Sequence, residues 1–151
     1  MLPTLRAANS DDLPRVHALL TANKLPLDGV DPALATYIVA EQGADIVGVA
    51  GTEPCGDGAD ALLRSVAVHD AWKGKGLGRA LVERAVADAE ARGTSALYLL
   101  TTTAERYFPS FGFREVERAA VPPAVQGTAE FSSACPASAV VMVRDHSFTG
   151  H

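Results

Sequence analysis

The chain has 151 residues, a formal net charge of −5, 48% hydrophobic residues and two cysteines. That length suits one domain with a core of its own, and the acidic balance speaks against a general nucleic-acid or anionic-membrane binder. Cys55 and Cys135 cannot build a disulfide framework, so free thiols in a reducing compartment are expected. No apolar run approaches the length of a membrane span. The first residues, Met1 to Arg6, lack the charged-then-apolar pattern of a signal peptide, and a cytoplasmic location is expected.

In chain order, Leu2 to Ala8 reads as a first strand. Ser10-Asp11-Asp12 reads as a helix start, with Ser10 as the cap and acids in the first turn. Leu13, Val16, Leu19 and Leu20 repeat at helical spacing, and Asn23 to Pro26 ends that helix. A connector over Leu27 to Pro32 follows, with a helical turn after Asp31-Pro32. Thr36 to Glu41 and Ile46 to Glu53 form a hairpin across Gln42-Gly43-Ala44-Asp45, and Pro54 to Gly58 is a loop. Ala61 to Val68 is an apolar strand. Ala96 to Leu100 is another, returning through a helix and therefore parallel to it. Thr102 to Phe111 reads as a helix with Pro109 awkward inside it. Phe113 to Glu117 is a strand, Pro122 to Gly127 a short turn or helix, and Ala137 to Arg144 the last strand, on which a second copy could pair. One domain over 1–146 is expected, with a frayed tail from Ser147 to His151.

The stretch from Leu62 to Arg92 is the most informative. An apolar strand leads into Lys73-Gly74-Lys75-Gly76-Leu77-Gly78-Arg79, and a helix follows. Leu77, Leu81, Ala85 and Ala89 recur every four residues with Val82 and Val86 beside them, which makes one apolar stripe. Gly93 is placed to end the helix. Three alternating glycines let the backbone approach a ligand closely, and successive N–H groups at a helix start make an anion site. Lys73, Lys75 and Arg79 add positive charge. The whole reads as a cradle for a phosphate or pyrophosphate. The Gly-x-x-x-x-Gly-Lys-Ser/Thr spacing of a nucleotide loop is absent, and the third glycine comes too soon for a dinucleotide fingerprint.

Val66-Ala67-Val68 followed by Lys73 to Gly78 resembles the acetyl-CoA motif of the GNAT N-acetyltransferases, Gln/Arg-x-x-Gly-x-Gly/Ala, with Lys73 at the Gln/Arg place. Ala104 to Phe113 is similar to the family's later helix ending in Gly-Phe. Within the family, Ala61-Leu62-Leu63-Arg64-Ser65, Leu97 to Glu105 and Cys135 to Ala139 resemble the acetyltransferases of arsenic-resistance operons. The resemblance implies an α+β fold: a mixed, mostly antiparallel sheet of six or seven strands, helices on both faces, and central parallel strands 61–68 and 96–101 that splay apart. It also implies acetyl-CoA as co-substrate, with no metal, and a small-molecule amine as acceptor.

Residue by residue, it implies that Val66, Ala67 and Val68 pair with the pantetheine arm as an added strand. The N–H groups of Lys73, Gly74, Lys75, Gly76, Leu77, Gly78 and Arg79 would grip the pyrophosphate, and an N–H near Ser65 or Val66 would stabilise the carbonyl oxygen. Alignment on Gly112-Phe113 puts Phe108 at the place of the family's late-helix tyrosine. Tyr107 is then one position, or about 100°, off.

Glu53 is a candidate base. Glu41 falls at the far end and His69 on the cofactor side. Arg64, a lone cation in an apolar strand, needs either a carboxylate such as Glu53 or an anionic substrate. Thr101 and Thr102 offer hydroxyls nearby, or cap the late helix with Thr103. A small amino-acid-like amine is the expected acceptor, with arsenical or phosphinate analogues of glutamate in view. A binding module that senses acetyl-CoA without turnover, and a protein or peptide N-acetyltransferase, are the alternatives. The four histidines, His17, His69, His146 and His151, show no metal-ligand spacing.

Overall fold

A computed structural model describes residues 3–25, 27, 30–56, 59–101, 107–128, 131 and 139–145. Seven strands form a single sheet in the order β1-β2-β3-β4-β5-β7-β6. They are β1 (Thr4–Ala7), β2 (Tyr37–Gln42), β3 (Asp45–Cys55), β4 (Asp60–Val68), β5 (Ala96–Thr101), β6 (Arg114–Val116) and β7 (Val140–Asp145). Every pairing is antiparallel except β4 with β5, which is parallel. The helices are α1 (Leu13–Ala22), α2 (Val30–Ala33), α3 (Leu77–Ala91) and α4 (Pro123–Gln126).

The predicted stripe on α3 is its buried face: Leu77, Leu81, Val82, Ala85, Val86 and Ala89. It packs on one side of the sheet against Ile38, Ala40, Val47, Ala50, Ala61 and Leu63. On the other side, Val16, Leu19 and Leu20 of α1 cover Val39, Val49 and Ala67, while Val125 of α4 covers Leu62 and Val141. Gly93, at φ +91, follows the last turn of α3 in the left-handed conformation that the predicted stop requires.

Several expectations are corrected. The first helix is not capped by Ser10: Asn9 caps it, its side chain accepting from Asp11 N–H at 2.9 Å while Asp12 accepts from Asn9 N–H at 2.9 Å. A 3-10 turn over Ser10–Asp12 then leads into α1. Asp12 is 1% exposed and holds Arg6 at 2.8 Å and Arg15 at 2.9 Å. The hydrogen bond from Arg6 keeps its carboxyl down at about 2, well below the usual carboxylate range. Pro54 and Cys55, expected in a loop, extend β3. The last strand offers no free edge, because β7 lies between β5 and β6 with both sides paired. Of the expected late helix, a 3-10 turn over Phe108–Phe111 lies among the described residues, where Pro109 fits the first turn. Thr102, Thr103, Cys135 and the tail lie outside them.

Candidate active site

Two features of the backbone meet at the C-terminal end of β4. The first is a gap in the sheet. β4 and β5 pair at Asp60↔Ala96, Ala61↔Leu97 and Leu62↔Tyr98, and no further. Past Leu62 the strands diverge, while β5 stays paired with β7 up to Thr101. His69 N–H donates to Val47 O at 2.8 Å, so by strand alternation the main-chain groups of Val68 and Val66 turn away from β3 and into the gap.

The second feature is the turn into α3. Gly76 caps the helix at φ +85 and ψ 0, with no side-chain cap. Only glycine takes that conformation without strain. Among the described residues, the N–H groups from Gly74 to Arg79 donate no well-formed hydrogen bond to the protein; the first helical bond is Ala80 N–H to Gly76 O at 3.1 Å. Lys73 N–H is already used, on Asp70 O at 3.3 Å, so the expected donor set narrows by one. Six consecutive N–H groups without a protein acceptor thus stand at the positive end of a 15-residue helix, an arrangement whose electrostatics suit an anion.

A cavity of about 530 Å³ joins the two features. The wall on the sheet side is Val66, Ala67 and Val68; the floor is Lys73, Gly74, Gly76, Gly78 and Arg79. Trp72, Asn23 and Tyr107 complete it; of these the sequence reading weighs only Tyr107, which it sets one position off the tyrosine place. Trp72 was the most findable, since it abuts the glycine run and takes the Lys75 ammonium 5.5 Å from its ring centre. Lys75 and Leu77 are not on the wall: Leu77 is 1% exposed in the core and gives only its N–H. The cations are held in place. Lys73 pairs with Asp70 at 2.9 Å, and Arg79 lies over Phe111 and donates to Ser110 at 3.1 Å.

Phe108 is corrected. It is 8% exposed and packs in the core, at 5.7 Å from Phe113 between ring centres. Tyr107 faces the cavity instead, stacked edge-on against Phe108 and Phe111, with its hydroxyl beside Gly78. Burial raises the Tyr107 phenol above its ordinary value, so it is protonated at neutral pH.

A polar seam crosses the opposite face of β3 and β4. Arg64, with its side chain fully buried, donates from Nη1 to Glu53 Oε1 at 2.8 Å and from Nε to Ser65 Oγ at 3.4 Å. The Glu53 carboxylate keeps 21% exposure and is the solvent-facing end of the pair. Ser65 is at φ +60, a conformation that costs a residue other than glycine about 1–2 kcal/mol. It sits where the β3–β4 register shifts between Val49 and Gly51. Thr101 is half-buried at the end of β5. His69 Nδ1 accepts from Ala71 N–H at 3.0 Å and so caps a turn rather than facing the gap. Glu41 is held by Arg6 at 3.3 Å, at the far end of β2. The Cys55 thiol, 4% exposed, is pushed up to about 11 by burial and is unreactive. Among the described residues, no three His, Cys, Asp or Glu side chains gather as a metal site, and no helix is long and apolar enough to cross a membrane.

The model of the acetyltransferase (GNAT) domain matches residues 33–115, more than half of the chain. The chain belongs to the GNAT acetyltransferase family. Over 58 residues this family member is 36% identical to an uncharacterized N-acetyltransferase of Chlorobaculum tepidum, a match spanning 38% of this chain and 37% of that protein. Its GNAT fold is shared with N-acetylglutamate synthase from Neisseria gonorrhoeae, solved with coenzyme A and N-acetyl-glutamate, at TM-score 0.80 and 19% identity. That likeness covers 94% of this chain but 34% of the synthase. Rv2747 from Mycobacterium tuberculosis, solved with CoA, matches at TM-score 0.79 and 24% identity over 95% of this chain and 99% of that one. The ribosomal-protein-S18-alanine N-acetyltransferase from Escherichia coli matches at TM-score 0.70 and 22% identity, over 96% and 94%.

Proposed function

We infer that this GNAT protein transfers an acetyl group from acetyl-CoA to the primary amine of a small, amino-acid-like acceptor. The observation that carries the reading is the run of outward N–H groups from Gly74 to Arg79, opening onto the gap beside β4. A diphosphate fits such a run, and the main chain of Val66 and Val68 is turned to meet an extended arm leading from it. Bound there, acetyl-CoA supplies the thioester carbonyl. The N–H of Val66 meets the charge that grows on the carbonyl oxygen. Glu53, directly or through water, takes the proton that the amine must lose. Tyr107, protonated on the cavity wall, is the donor available to the departing sulfur.

The acceptor side is read from the seam. The buried Arg64 holds Glu53, whose carboxylate is the exposed end that meets the acceptor's ammonium, with Thr101 and Thr102 as hydroxyl contacts. The gonococcal synthase, with N-acetyl-glutamate bound, supports an amino-acid acceptor. The resemblance of Ala61–Ser65 and Leu97–Glu105 to arsenic-operon acetyltransferases extends the class to arsenical or phosphinate analogues of glutamate. A thiol-release assay with acetyl-CoA over a panel of amino acids, including those analogues, tests this. Turnover with at least one acidic amino acid or analogue is expected. Tight CoA binding with no turnover on the panel, or on peptide amines, would replace the enzyme by a sensor of acetyl-CoA.

A further inference from the structure

The sheet holds one strained residue beside the gap, and a buried hydroxyl is fastened to it. Ser65, 7% exposed, takes φ +60 in the middle of β4. Tyr37, 1% exposed on β2, shares a 2.8 Å hydrogen bond with its Oγ. The tyrosine reaches it because of a glycine. Tyr37 lies opposite Gly51 on β3, and its ring occupies the space of the missing side chain: a Cβ at Gly51 would stand 2.1 Å from the ring.

The conformation of Ser65 has a consequence downstream. Leu63 faces the α3 side of the sheet, and after the extra residue so do Val66 and Val68, while Ala67 faces α1. Without the bulge the alternation would place Val66 on the α1 side. The bulge therefore decides which main-chain groups line the cavity. A serine holds a positive φ poorly by itself, and nothing in the local sequence asks for it.

We propose that Tyr37 is a positioning residue of the transfer site: through Ser65 it locks the bulge of β4 and so keeps the Val66 N–H in the gap. This rests on reading the gap as the thioester site. Tyr37→Phe keeps the ring over Gly51 and removes only the hydroxyl. A fall in kcat of about tenfold is expected, the worth of one well-made neutral hydrogen bond. The CoA dissociation constant from calorimetry should rise by no more than about threefold, because the diphosphate cradle is built separately and only the arm's pairing with Val66 and Val68 is loosened. Amide hydrogen exchange at Ala67, whose N–H is directed at Val49 on β3 just past the bulge, followed by NMR, should speed up by about tenfold for the same reason as kcat falls. Ser65→Gly added to Tyr37→Phe should bring kcat and exchange back to within about threefold, since glycine holds a positive φ unaided. Unchanged kcat and exchange in Tyr37→Phe would overturn the lock. So would a loss that Ser65→Gly leaves in place, which would mark Tyr37 as ordinary core. Should exchange respond and be rescued in a protein that acetylates no amine, the lock stands and the transferase reading falls.

Discussion

The glycine cradle and the polar seam flank the same gap, yet they are built on opposite plans. The cradle is contiguous, from Gly74 to Arg79, and offers main-chain N–H groups that no side chain defines. The seam is assembled from β2, β3 and β4, and everything it does depends on side chains: Tyr37 on Ser65, Arg64 on Glu53. One is defined by backbone conformation, so a substitution acts there by filling space or adding charge. The other holds its own geometry by buried pairs, so a substitution acts by leaving a partner exposed in the interior.

The contrast can be broken most forcefully at Gly76. Gly76→Asp forces a side chain into φ +85 and sets a carboxylate among the six open amides. CoA affinity by calorimetry should fall by at least about 100-fold. The melting temperature should move by only a few degrees, because a Cβ there meets nothing within 4 Å. Unchanged affinity would remove the cradle from its role.

In the seam the pattern should reverse. Arg64→Ala takes away a fully buried cation and should destabilise the fold by about 3 kcal/mol in urea titrations. Its effect on turnover should fall on the KM for the amine more than on that for acetyl-CoA. An equal effect on both would reduce Arg64–Glu53 to a structural pair.

Phe108→Tyr sharpens the boundary between site and core. Because Phe108 is in the core, the new hydroxyl is buried, and a loss of about 1–3 kcal/mol with no gain in rate is expected. A rate increase would return this position to the site and displace Tyr107.

Asp12 lies in neither region and isolates the acid response of the fold. Its folded pKa of about 2 lies below the ordinary 3.8. Its stabilising contribution is therefore complete above about pH 4 and is lost as pH falls through 2. Asp12→Asn should cost about 2 kcal/mol at pH 7. The difference from the parent should shrink steadily below pH 4, read by thermal melts across that range.

The sequence alone determined what is local. The 3.6-residue period fixed the buried face of α3 from Leu77 to Ala89. Alternating glycines before it announced a turn with outward amides, and the helix between β4 and β5 required those strands to run parallel. Each follows from residues a few positions apart, where periodicity and turn chemistry suffice. Tertiary structure decided what depends on distant partners. Tyr107 rather than Phe108 faces the cavity, since the packing of Phe108 against Phe113 sets the rotation of that turn. Asn9 displaced Ser10 as the cap because Asp12 is anchored by Arg6 from β1. β7 lost its free edge when β6 paired with it. The left-handed kink at Ser65, a position with no glycine to signal it, exists where a tyrosine 28 residues earlier lies across a glycine on the strand between them. Register and buried hydrogen bonding are settled by what arrives from elsewhere in the chain, and no local pattern records them.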